Sequence, residues 1–159
     1  EEIKHLNDYI LIQKIRYEER LQLCFDISEE CYQYAIPKFT IQPLVENAIY
    51  YGVECMLEPC IILVKIYRNE DTLFCTVRDN GTGIEGDIIE QLKEGTVKPK
   101  GNGIGLLNIH DRVQAIFGEE YGVRISNAPT RGAIVTVALG IRNYEQWRGE
   151  NEPDYSNDR

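Results

Sequence analysis

Residues 100–113 read KGNGIGLLNIHDRV. Three glycines, Gly101, Gly103 and Gly105, alternate with other residues and run straight into Leu106, Ile109, Val113 and Ile116. Those four recur at spacings of three, four and three, the stripe of an amphipathic helix, so a helix is predicted over 103–117, stopped by Gly118. The first turn of a helix has unpaired backbone N–H groups and the positive end of the macrodipole. Glycines at that point keep side chains from blocking an anion, which makes the stretch a candidate phosphate site; the plain alternative is a flexible loop that ends at a helix. Two familiar phosphate motifs do not fit. A P-loop needs Lys-Ser/Thr after its last glycine, where Leu106-Leu107 stands. The dinucleotide fingerprint needs G-x-G-x-x-G straight after a strand, and here G-x-G-x-G follows a lysine-bearing loop.

Upstream, residues 77–87 read VRDNGTGIEGD. In a strand over 72–79, Leu73, Cys75, Val77 and Asp79 share one face, so a carboxylate ends an apolar stripe. That is costly unless the carboxylate meets a donor. Gly81 and Gly83 let a ligand sit close, and the slot suits an exocyclic amino group such as that of adenine. An ordinary turn at DNG is the alternative. A hairpin would need a strand next, whereas GIEGDIIEQL reads as loop and a short helix over 87–94.

Further upstream, FTIQPLVENAIYYG at 39–52 reads as a helix from Phe39 to about Tyr51, ended by Gly52. Ile41, Leu44, Val45 and Ala48 form its core face, and Glu46, Asn47 and Tyr50 gather opposite, with Pro43. Polar residues on such a face are ordinarily just solvated. A neighbouring Glu–Asn pair is also able to hold a divalent cation through the Asn oxygen and to position a nucleophile through the carboxylate.

The rest frames these three stretches. A helix is predicted over 1–19, with Ile3, Leu6, Ile10 and Tyr17 on one stripe; it opens without a cap, as a helix cut from something longer would. Strands are predicted at 21–27, at 60–68 and 72–79 as a hairpin through NED, and at 121–127 and 132–141 around APTRG. The tail, 142–159, is polar, acidic and aperiodic, and is expected to fray. The expected fold class is α/β: a two-layer sandwich with a mixed, mainly antiparallel sheet covered by helices on one face.

Composition sets the outer bounds. The chain has 159 residues, 43% of them hydrophobic, enough for one sizeable core. A net charge of −9 argues against binding nucleic acid, whose partners are usually basic. No apolar run approaches membrane-spanning length and no signal-peptide pattern opens the chain. Five cysteines, Cys24, Cys31, Cys55, Cys60 and Cys75, form no C-x-x-C pair and read as buried, reduced thiols of a cytosolic protein rather than as a metal site.

Taken together, PLVENAIYYG, DNGTGI and GNGIGLLNIHDRV, in that order and spacing, resemble the N, G1 and G2 boxes of the GHKL ATPase superfamily. The superfamily includes sensor histidine kinases, type II topoisomerases, MutL proteins and the ninety-kilodalton heat-shock chaperones. The chain is most similar to the catalytic domains of LytS/YesM-type bacterial sensor histidine kinases, over roughly residues 5–140. The resemblance implies the Bergerat fold over residues 20–141, with 1–19 the end of a linker or dimerisation-segment helix. It implies Mg-ATP as the ligand. Asn47 would ligate Mg²⁺ and Glu46 would orient or deprotonate the attacking group. Asp79 would take the adenine amino group, with Gly81 and Gly83 lining that pocket. Gly101, Gly103 and Gly105 would line the phosphates, and Tyr51, Ile84 and Leu106 would complete the nucleotide contacts. Residues 85–100 would be the ATP lid.

The same resemblance implies transfer of the γ-phosphoryl to a histidine on an upstream segment, a response regulator as downstream partner, a homodimeric full-length protein, and a cytoplasmic domain of a membrane-anchored sensor. Two positions depart from the family pattern. Tyr50 stands where many relatives carry Lys, and Ala133 where Thr or Ser often follows the late glycine. Lys98, Lys100 and Arg112 are the candidate substitutes for the missing charge. Neither histidine stands in a phosphoacceptor setting: His5 lacks N-P-H-F surroundings and His110 lies within the G2 helix. An ATP-binding switch without phosphotransfer is the alternative function. A methyltransferase reading of D-x-G-x-G at 79–83 fails, because Glu85 stands where a third glycine is needed and no second βα unit with a ribose-binding acid follows.

Overall fold

A computed structural model describes residues 2–54, 56–84 and 103–143. Helix α1 (Glu2–Tyr17) passes through a short 3₁₀ turn (Glu18–Arg20) into β1 (Leu21–Ile27). A second 3₁₀ turn (Glu29–Gln33) leads to α2 (Gln42–Ile49), which widens into a π-type turn (Tyr50–Glu54). Then come β2 (Cys60–Asn69), β3 (Thr72–Asp79), α3 (Gly103–Phe117), β4 (Gly122–Asn127) and β5 (Ala133–Gly140). The strands form one sheet in the order β1-β2-β3-β5-β4. β1 runs parallel to β2, and every other neighbouring pair is antiparallel. The sheet is thus mixed and mainly antiparallel, as the alternating strands and short connections imply.

Period-two alternation decides which face is buried. Cys60, Ile62, Val64 and Ile66 of β2, Leu73, Cys75 and Val77 of β3, and Val135, Val137 and Leu139 of β5 point into one cluster. Leu6 and Ile10 of α1, Leu44, Val45, Ala48 and Ile49 of α2, and Leu106, Ile109 and Val113 of α3 close over them. On the far face Ile61, Lys65 and Arg78 are exposed, and Tyr67 stacks on Phe74 at 5.3 Å between centroids. Among the described residues the helices therefore cover a single face, and the sandwich has two layers.

Several local expectations change. The second helix begins at Gln42, not Phe39, because Phe39 sits at φ 56°, outside any right-handed helix. Gly52 does not end it: the chain turns on through Tyr50–Glu54. A Cβ at Gly52 would lie 2.1 Å from the Cys60 sulfur, so this glycine exists for close packing of the turn on β2. The hairpin turn tightens to Glu70-Asp71, with Glu70 at φ 52°. Cys31, Cys60 and Cys75 are buried, but Cys24 is exposed on β1. Of the expected tail, Arg142 accepts the Ala35 N–H at 2.8 Å and Asn143 bridges to Tyr34; the remainder lies outside the described residues. The expected short helix at 87–94, the lid over 85–100 with Lys98 and Lys100, Gly101 and Cys55 also lie outside them.

Candidate functional site

The end of β3, the length of α2 and the first turn of α3 meet at one end of the helix-covered face. Asp79, the last residue of β3, is only 5% exposed. Its Oδ1 accepts the Gly81 N–H at 2.8 Å and the Ala133 N–H at 3.2 Å. Burial raises its pKa, while those backbone donors pull the other way. The same burial, together with the Asp79 charge, pushes the Cys60 thiol up to about 12. Asp79 is therefore a desolvated carboxylate, fixed on one oxygen, at the end of an apolar stripe.

The backbone crowds round it. A Cβ at Gly81 would stand 2.8 Å from Asp79 Oδ1 and 3.1 Å from the Tyr51 carbonyl oxygen, so this glycine lets β3 and the turn after α2 touch. Gly132, at φ 94°, passes so close that its Cβ would lie 2.0 Å from the Asp79 carbonyl oxygen. Gly83 is at φ 80°, and Asn127 faces it from β4. The Asn127 amide accepts the Ile84 N–H at 2.7 Å and donates to the Ile84 carbonyl at 2.8 Å, clamping the chain as it leaves the glycine loop. A cleft of about 510 Å³ opens beside Gly83 and Ile84, with Thr130 and Arg131 on its far wall.

Asn47 is the second anchor, and its position corrects the expectation. It is not on a solvated face: it is 5% exposed, and among the described residues neither its amide nitrogen nor its amide oxygen has a hydrogen-bond partner. α2 packs against α1, α3, β2 and β3, so a face that reads as polar surface in sequence is largely enclosed. An unpaired buried amide costs about 1–3 kcal/mol, and native folds keep one where a ligand or water completes it. Its oxygen is a hard donor of the kind Mg²⁺ takes, few of which a protein needs to supply. The donor chemistry thus fits the cation. Glu46, beside it, is half-buried, and its Oε1 accepts from Gln42 Nε2 at 2.9 Å.

The first turn of α3 closes the third side. Gly105 lies against Pro43 of α2, where a Cβ would reach Pro43 Cβ at 3.7 Å, an ordinary contact. Gly103 opens the helix and Leu106 is buried beneath it. Tyr51 is 37% exposed and meets Tyr50 edge-on at 5.0 Å. Arg112 does not stand free as a substitute cation: its guanidinium donates to the Phe39 carbonyl at 3.0 Å and the Thr40 hydroxyl at 3.4 Å.

Residues 37–143 match the family described as "Histidine kinase-, DNA gyrase B-, and HSP90-like ATPase". The chain belongs to this ATPase family. Curated relatives include sensor histidine kinases. It is 39% identical to sensor histidine kinase YesM of Bacillus subtilis over 143 residues, covering 90% of this chain and 24% of YesM. It is 36% identical over 123 residues to YpdA of Escherichia coli, covering 77% of this chain and 21% of that protein, and 30% identical over 145 residues to LytS of Oceanobacillus iheyensis, covering 89% and 25%. The chain spans about a quarter of the length of these relatives and corresponds to the ATP-binding catalytic domain of sensor histidine kinases. Among solved structures, the catalytic domain of histidine kinase ThkA superposes with a TM-score of 0.66 at 18% identity, covering 88% of this chain and 93% of that one. The mycobacterial sensor histidine kinase MprB gives 0.60 at 15% identity, covering 89% and 95%. These two share the fold.

Set on the ATPase framework, the three boxes come together in space, while Gly101 and the lid fall outside the described residues. Tyr50 is 39% exposed and occupies its place without burial. The Ala133 N–H reaches Asp79 whatever its side chain is, so losing a hydroxyl there leaves that bond intact. His110 Nδ1 accepts the Val123 N–H at 3.1 Å, a structural bond within the fold, and His5 is exposed on α1. Sequence reasoning missed Gly132 and Asn127. A glycine directly before the last strand was a signal for the first. Asn127 gave none, since an Asn at a strand end reads as an ordinary turn residue.

Proposed function

We propose that this domain binds Mg-ATP between α2, the end of β3 and the first turn of α3, and passes the γ-phosphoryl to a histidine on a segment outside this chain. The observation that carries it is Asn47: a buried amide with both polar atoms unpartnered among the described residues, on the helix that also carries Glu46. In this reading Asp79 accepts the adenine amino group with the oxygen left over from its backbone bonds, and Gly81 and Gly83 line that end. Tyr51, Ile84 and Leu106 flank the nucleoside; Gly101, Gly103 and Gly105 leave the N–H groups of the α3 mouth open to phosphate oxygens. Asn47 is the protein ligand of Mg²⁺, which supplies charge neutralisation to the phosphates when bound. Glu46, held by Gln42, orients the incoming imidazole and takes its proton.

The domain reading follows: residues 1–19 as the end of an upstream helix, 20–141 as the catalytic unit, and 142–159 as a polar tail. The full-length protein is a membrane-anchored homodimer whose catalytic domain lies in the cytoplasm and which serves a response regulator. No described helix is long and apolar enough to cross a membrane. Tyr50, in the place of the familiar Lys, favours a second reading, an ATP-dependent switch with little transfer.

The test is to titrate wild type and Asn47→Ala with ATP and with adenosine, each with Mg²⁺ and with EDTA. Wild type binds Mg-ATP more tightly than adenosine; Asn47→Ala loses about tenfold of Mg-ATP affinity, one good ligand's worth, and keeps adenosine. Equal loss of both makes Asn47 a structural residue.

A further inference from the structure

α2 lacks a capping side chain of its own. Its N-cap position, Ile41, makes no side-chain cap bond, and Pro43 in the first turn has no N–H. The cap comes from another helix. The Glu2 carboxylate at the start of α1 accepts three successive backbone N–H groups: Phe39 at 2.9 Å, Thr40 at 2.8 Å and Ile41 at 2.9 Å. Three consecutive amides converge on one point only where the backbone alternates hand, and Phe39 at φ 56° supplies the left-handed residue. The Phe39 side chain gains no burial from that strained conformation, being 60% exposed; besides the Glu2 bond, its carbonyl accepts from Arg112 at 3.0 Å. The strain and the carboxylate hold each other in place.

The other end of the same element is held in mirror fashion. Arg20, just beyond the C-terminal end of α1, donates from one guanidinium nitrogen to the Val53 carbonyl at 2.8 Å and the Met56 carbonyl at 2.6 Å. A carboxylate thus sits at the N-terminal approach of α2, and a guanidinium at the Val53 carbonyl in its π-type turn and the Met56 carbonyl just past it. Each sign matches the helix dipole it meets.

We propose that Glu2 and Arg20 are positioning residues for the nucleotide site: α1 grips the helix that carries Glu46 and Asn47 at both ends, and so sets the cation end of the site. This rests on the reading of Asn47 given above. A displacement of α1 at its Glu2 end breaks three charge-assisted bonds together and releases the Phe39 strain, so α2 responds to α1 in steps. Asp79 lies on β3, outside the gripped element, so the Glu2 end of the grip acts on the cation end, whereas the turn that Arg20 holds carries Tyr51, which flanks the nucleoside and touches Gly81.

Wild type, Glu2→Ala, Glu2→Gln, Glu2→Asp and Arg20→Gln are compared in the 159-residue chain by amide hydrogen exchange and by titration with Mg-ATP and adenosine. Glu2→Ala lowers protection of the Thr40 and Ile41 N–H groups about tenfold or more. It weakens Mg-ATP roughly five- to tenfold, the range of a modest coupling between sites, and leaves adenosine within about twofold. Glu2→Gln, which keeps the shape and an acceptor, falls between, and reads the effect if the alanine variant does not fold. Glu2→Asp recovers part of the loss, and Arg20→Gln, which frees the turn that carries Tyr51 and packs on Gly81, weakens Mg-ATP and adenosine together. In the Glu2 variants, unchanged exchange at 40–41, unchanged Mg-ATP affinity, or equal losses of Mg-ATP and adenosine overturn the proposal. If wild type itself shows no preference for Mg-ATP over adenosine, the nucleotide reading has failed, and the exchange arm alone decides whether Glu2 grips α2.

Discussion

Asp79 is a carboxylate buried at some cost to the fold. It is buried at the end of β3, and burial raises its pKa above the ordinary 3.8 despite two backbone donors. The folded state therefore binds this proton more readily than the unfolded chain does. Its contribution to stability is fully present below the ordinary value and is lost as pH rises through the raised folded value. Asn in its place still accepts the Gly81 and Ala133 N–H bonds without carrying the charge. Asp79→Asn is thus expected to be at least as stable as wild type at neutral pH, by urea denaturation, with the difference shrinking as pH falls toward 3.8. Adenine nucleotides bind it roughly 10- to 100-fold more weakly, because the charge-assisted bond to the amino group is worth roughly 1.5–3 kcal/mol. Gaining stability while losing ligand is the mark of a residue retained for function. Equal nucleotide affinity of the two proteins would remove Asp79 from the site.

Among the elements, two glycines serve opposite ends, and alanine tells them apart. At Gly132 a Cβ would meet the Asp79 carbonyl at 2.0 Å, and φ is 94°, so neither space nor conformation admits a side chain. Gly132→Ala should lose more than about 2 kcal/mol, since a left-handed L-residue alone costs about 1–2 kcal/mol and the clash is with backbone. At Gly105, inside the first turn of α3, a Cβ meets nothing closer than Pro43 at 3.7 Å. Gly105→Ala should gain up to about 1 kcal/mol from helix propensity. Its nucleotide affinity falls nonetheless, as the methyl covers the α3 mouth. Thermal denaturation with Mg-ATP titration separates the two; a destabilised Gly105→Ala with unchanged affinity would make Gly105 a packing residue. The glycine alternation that marks α3 is plain in sequence, as are β2 and β3, whose buried residues alternate strictly. The limits of α2 were not legible. Period 3.6 ran back to Phe39 because the pattern sees apolar spacing, whereas a single positive φ, tied to Glu2 some 37 residues away, sets the true start. Asn47 looked solvated for a related reason: a helix enclosed on several sides shows one apolar stripe, and its second buried face carries a polar residue.

For the whole molecule, the two histidines decide what the isolated domain is able to do. The fold class, the single covered sheet face and the meeting of the three boxes were all readable, because each box kept its motif and the strands their alternation. The contacts joining them across the chain, Asn127 to Ile84, Gly132 to Asp79, and Glu2 and Arg20 to α2, were not, since no local pattern records a distant partner. Phosphotransfer needs an imidazole nitrogen held near in-line contact with the γ-phosphorus. His110 is buried in α3 with Nδ1 occupied by the Val123 N–H, and moving it would unpair that buried donor. His5 projects to solvent from α1, one turn after Glu2, without a surface to align it. The chain alone is therefore expected to take no label from ATP carrying a radioactive γ-phosphate. Mixed with an upstream helical segment of the full-length protein, it should label a histidine there, acid-labile and base-stable as a phosphoramidate is. His5→Gln should leave that transfer unchanged. Strong labelling of the isolated chain, lost in His5→Gln, would instead make α1 itself the acceptor. Tight Mg-ATP binding with no label even in the full-length protein would point to the switch, with Tyr50 the first residue to exchange for Lys in restoring transfer.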